Sequence, residues 1–232
     1  MKRSKLLILC GMMLLCFTGC AAKSEQQETS AAAAPTTELT LPKQLTESEL
    51  IDRGIQFTYT VGPLGKRIED IEGDFTGKPV ETEEDAMQAI AAISDLLGCK
   101  DVYDELRLYT VTSSGGLTHY YFQQNYNGIP INSHRTNLHV RDESHRIFYL
   151  QNSFFPDIEL NTVPDVSAKD AKKTAEKAVP DRKFNEKPQL EITVNGDAAF
   201  LIWDFESDDG GTARIDAHTG EVLYAFNGEI GD

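Results

Sequence analysis

Four cysteines serve 232 residues, and three of them, Cys10, Cys16 and Cys20, crowd into the first twenty positions. Only Cys99 is left for the body of the chain, so no intramolecular disulfide can staple it and its stability must come from an apolar core. Cys99 follows Leu96, Leu97 and Gly98 at the end of a helical pattern and reads as a small buried residue, since no base is positioned by the sequence to make it a nucleophile. Positive charge is also scarce: 22 Lys and Arg face 37 Asp and Glu, a net charge of −15 that makes nucleic acid a poor partner. There is no His-Glu-x-x-His, no Gly-rich phosphate loop behind a strand and no nucleophile elbow, Ser113-Ser114 being a turn. No catalytic residue, metal ligand or cofactor is therefore assigned.

Long apolar runs are missing beyond residue 17. Lys2, Arg3 and Lys5 precede the run Leu6 to Phe17, which is too short to span a bilayer, and small residues stand before Cys20. This predicts an export signal over residues 1–19. The segment from Leu14 to Cys20 resembles a bacterial lipoprotein lipobox, with Phe17 where leucine is more usual. The resemblance implies fatty acylation of Cys20, palmitate included, and anchorage on the extracytoplasmic face of the cell membrane. Three cationic residues leave with the signal, taking the net charge from −15 to −18. Residues 20–49, rich in Ala, Ser, Thr, Glu and Gln up to about Thr40, read as the lipidated cysteine and a flexible stalk.

The rest divides into two similar halves, 50–160 and 161–232. Thr82 with Glu83, Glu84 and Asp85 opens a helix whose apolar positions Ala86, Ile90, Ile93 and Leu97 recur at helical spacing up to Gly98. Alternating residues on either side of Ser113 to Gly116, then of Asn127-Gly128 and of Asp142 to His145, predict an antiparallel meander. In the second half, Ser167 opens a helix lined by Ala168, Ala171, Ala175 and Ala178 and stopped by Pro180. Strands follow near 190–194, 199–205, 212–216 and 222–226. The expected fold class is α+β: two small modules, each one helix packed on an antiparallel sheet.

The run Tyr121 to Ile131, with Leu138-His139-Val140 and Phe155-Pro156-Asp157, resembles the fungalysin/thermolysin propeptide module. Ser167 to Ala171 together with Arg214 to Leu223 is similar to a PepSY module. Asn132-Ser133 stand where the first pattern often has an aromatic residue and glycine, and Asn152-Ser153-Phe154 replace a usual glycine. The resemblance implies a pair that assists and inhibits a secreted thermolysin-like zinc protease, here in trans. Tyr126, Asn127, Gly128, Ile129, Pro130 and Ile131 are its candidate partner-binding residues, although tight-turn chemistry alone explains most of these types. The rival expectation is a sensory or binding lipoprotein for a peptide, an envelope component or an ion.

Two further groups invite a metal reading. Asp204 to Gly211 alternates acidic residues before a double glycine, but Ile215 stands where an EF-hand needs its bidentate glutamate, so a solvated loop is expected. His119, His134, His139 and His145 are too irregularly spaced for a helical metal pair.

Overall fold

The computed structural model describes residues 41–62 and 65–229. Cys20 and the predicted export signal lie outside them. The packed unit starts earlier than the expected residue 50. Leu45 is buried, its amide donates to Ala92 O, and the Gln44 amide donates to Ala91 O. A short helix, α1 (Glu47–Asp52), follows, closed by a capping box between Thr46 and Glu49. A hairpin of β1 (Gln56–Gly62) and β2 (Gly65–Glu72) comes next, neither strand having been predicted.

Thr82 caps α2 (Glu83–Ala91) through a reciprocal box with Asp85, as its sequence demands. The helix does not run on to Gly98. It breaks at Ala92 and Ile93 and restarts as α3 (Ser94–Leu97), which Gly98 ends at φ 80°. The break has a tertiary cause: the carbonyls of Ala91 and Ala92, which an unbroken helix would use internally, accept hydrogen bonds from Gln44 and Leu45 instead. A third short helix, α4 (Val102–Glu105), is capped by Asp101. The helical layer of the first module is thus α1 to α4 rather than one helix.

The meander forms as β3 (Leu106–Ser114), β4 (Leu117–Tyr126), β5 (Ile129–Arg141) and β6 (Arg146–Asn152), with β2 paired on β6. The inner face of this sheet, including Ile71, Phe122, Leu138 and Leu150, packs on the helices in the main core. The second module is α5 (Ala168–Ala178) over β7 (Gln189–Asn195), β8 (Ala198–Glu206), β9 (Thr212–Asp216) and β10 (Val222–Phe226). Ala171 and Ala175 are fully buried against Phe205, Ala213 and Ile215; their small side chains let the helix lie close to the strands. Helix on antiparallel sheet is therefore the plan of both modules.

One connection was not foreseen. β5 pairs with β7 in parallel through Ile131 and Ile192, so the ten strands among the described residues belong to one continuous sheet. Ser133, at φ 63°, lies between the two pairings of β5: Ile131 pairs with β7, and Thr136 onward with β6. Serine thus holds the backbone that the glycine of the resembled pattern would adopt more freely.

Candidate interaction surface

Tyr126 to Ile131 occupy the seam between the modules. Asn127 and Gly128, at φ 50° and 80°, make the two-residue turn that their types favour. Only these two of the six candidate residues are exposed. Ile131 is 0 % exposed and packs with Ile192, Leu201 and Ala217, while Tyr126 and Ile129 lie against the same cluster. A partner cannot touch Ile131 in the folded chain. The motif's apolar side chains join the modules, and a partner-binding role contracts to the turn.

The closing hairpin of the second module is built as its types suggest. Asp216 accepts the amides of His218 and Thr219, both at 2.8 Å, and Thr219 accepts the amide of Glu221. His218, not singled out in the sequence, fastens this turn to the connection before α5. Its Nδ1 lies 2.8 Å from Asp165 and its Nε2 3.0 Å from Asn161 O. The Asp165 hydrogen bond holds its pKa above the ordinary histidine value.

The acidic run does not converge. Asp209 turns to Arg182 at 2.6 Å and to the Ser207 hydroxyl, while Asp204 points back from β8 toward Arg214 on β9. Gly211 is required here, because a Cβ would come within 2.8 Å of both Ser207 and Arg182. Burial, with Glu191 and Glu206 nearby, pushes the Asp204 carboxyl up to about 6 against the pull of Arg214. Among the described residues no group of three or more His, Cys, Asp or Glu is placed to hold a metal. Cys99 is buried, with its thiol 3.1 Å from Glu105, and burial first and that carboxylate second raise its pKa.

Several surfaces remain open among the described residues, including the outer edges of β1 and β3, where Tyr59, Val61, Tyr109 and Val111 are exposed. At one end of the sheet, among the described residues, β10 pairs only with β9 and exposes Val222, Leu223 and Tyr224. Away from the helices, the outer face of the first module presents Tyr109, His119, Tyr121, His139 and Tyr149. On it Arg135 stacks over Tyr109, and Tyr149 lies on His139. His119 and His139 are register partners across β4 and β5. Carried back without interruption, the two-residue turn would set Thr136 opposite His119; the irregularity between Gln123 and Asn125 brings His139 there instead. The pairing was therefore hidden from any reading of the turn alone.

Comparisons with known proteins find two family matches within the chain. Residues 104–153 match the Fungalysin/Thermolysin Propeptide Motif, and residues 165–226 match the Peptidase propeptide and YPEB domain. The Bacillus megaterium YpeB C-terminal domain matches at 14% identity and a TM-score of 0.39, covering 80% of this chain and 98% of that one. The search of curated proteins found no match. Modules of these two kinds are commonly protease-inhibitory or regulatory. The chain thus carries a fungalysin/thermolysin propeptide motif followed by a PepSY domain, joined edge to edge through β5 and β7.

Proposed function

We propose that the chain is a non-enzymatic lipoprotein, anchored through Cys20 on the extracytoplasmic face, that inhibits or assists the folding of a secreted thermolysin-like metalloprotease in trans. The observation that carries this reading is the two propeptide-type modules in sequence, in a chain without His-Glu-x-x-His. Continuity of the sheet adds support. Both modules share one hydrogen-bonded sheet, which opposes local opening of the strands that a protease would attack.

Docking falls to the β10 edge, where Val222, Leu223 and Tyr224 flank backbone groups free to pair with an extended segment. The test measures peptide hydrolysis by a panel of thermolysin-like proteases with added chain. Saturable slowing that Leu223→Asp weakens, and Glu143→Gln on the exposed β5–β6 turn leaves intact, supports the proposal. Absence of binding and of slowing at micromolar chain across the panel refutes it. Anchorage is tested separately: Cys20→Ala should abolish fatty-acid labelling, and persistent labelling would remove the lipid from the proposal.

A further inference from the structure

On the uncovered face of the first module two imidazoles meet head-on. The Nδ1 atoms of His119 and His139 are 2.5 Å apart, with ring centroids at 4.8 Å and planes crossing at 75°. Two nitrogen lone pairs pointed at each other repel unless a proton or a metal ion lies between them, and an N–H of one neutral ring donating to the other ring's Nδ1 meets that need in the metal-free chain. Neither ring has a carboxylate partner among the described residues, in contrast to His218 with Asp165.

The surroundings hold both rings in place. His119 Nε2 lies 3.1 Å from the Ser114 hydroxyl, so that nitrogen is engaged and Nδ1 is the one left to act. Tyr149 stacks on His139 at 5.7 Å, and its own hydroxyl is tied to Asp70. Outer partners of this kind fix the ring orientation and tautomer of metal-binding histidines.

We propose that His119 and His139 form a transition-metal site in which both Nδ1 atoms ligate a borderline divalent ion such as Zn²⁺, Ni²⁺ or Cu²⁺. Tetrahedral zinc with nitrogen ligands at about 2.0–2.1 Å needs the two atoms roughly 3.3 Å apart. Small rotations of two side chains on an uncovered face supply the difference. Imidazole disfavours the hard ions Ca²⁺ and Mg²⁺, which take oxygen ligands. Two protein ligands leave further coordination positions for water, and the strongly negative chain raises the local concentration of cations.

The inference is independent of the proposed protease inhibition, and its test needs no protease. Untagged full chain is dialysed to equilibrium against Zn²⁺, Ni²⁺ or Cu²⁺, with Mg²⁺ and Ca²⁺ as controls, and the copper form is examined by electron paramagnetic resonance. The expected result is saturable binding of one equivalent, two coordinated nitrogens in the copper spectrum, and no binding of the hard ions. His119→Gln and His139→Gln should each weaken binding at least about tenfold, while His145→Gln leaves it unchanged. Ser114→Ala should weaken binding about tenfold through lost orientation. Circular dichroism establishes that each variant is folded. Absence of saturation by any of the three metals, or binding undiminished in the folded double His→Gln variant, overturns the proposal.

Discussion

Ile131→Ala tests whether the seam holds the two modules together. Ile131 is 0 % exposed, lies between Ile192, Leu201 and Ala217, and carries the parallel pairing of β5 with β7. The substitution removes three buried carbons, worth about 0.8 kcal/mol each in transfer from water. A residual cavity adds to that loss, so the expected cost is about 3–4 kcal/mol. For a folded unit of this size each kcal/mol lowers Tm by roughly 2–4 °C, which predicts a fall of about 10 °C. Calorimetry with urea unfolding followed by tryptophan fluorescence reads it, Trp203 packing against the same cluster. Val61→Ala, at an exposed site on β1, is the control and should change little. A fall below about 2 °C for Ile131→Ala in a folded variant would refute the seam as a stabilising contact.

Gly128→Val should cost about 1–2 kcal/mol through backbone strain alone, since φ is 80° and no atom lies within 4 Å of an added Cβ; a denaturant midpoint equal to the parent's would contradict this. Cys99 should resist thiol reagents in the folded chain and react on unfolding, because burial and Glu105 hold it protonated; fast labelling without denaturant would count against the packing. Asp204 titrates at about 6 when folded against about 4 unfolded, so the folded chain holds the extra proton between those values and stability falls as pH rises through that window. Asp204→Asn should flatten the decline, on the order of 3 kcal/mol, in urea titrations across that range; an unchanged slope would refute the assignment. His218, whose folded pKa is raised, stabilises the chain below the unfolded histidine value of about 6.5, and that contribution should vanish as pH climbs through the folded value; a His218→Asn variant with the parent's pH profile above 6 would contradict it.

Local chemistry settled much of this protein without any tertiary information. The Thr82 and Ser167 caps, the Asn127-Gly128 turn and the alanine stripe of α5 each act through neighbours within a few residues, so residue type and spacing suffice to place them. The same locality made the propeptide-like segments recognisable, because their turn residues are fixed by backbone geometry. What lay far apart in the chain had to await the fold. The break after α2 depends on Gln44 and Leu45, which come from a segment that composition assigns to a stalk. The burial of Ile131 depends on Ile192, and no periodicity within β5 announces a parallel partner from another module. His119 meets His139 because an irregularity shifts the β4–β5 register; the turn sequence fixes where that register starts, but only packing of the whole sheet decides where it slips.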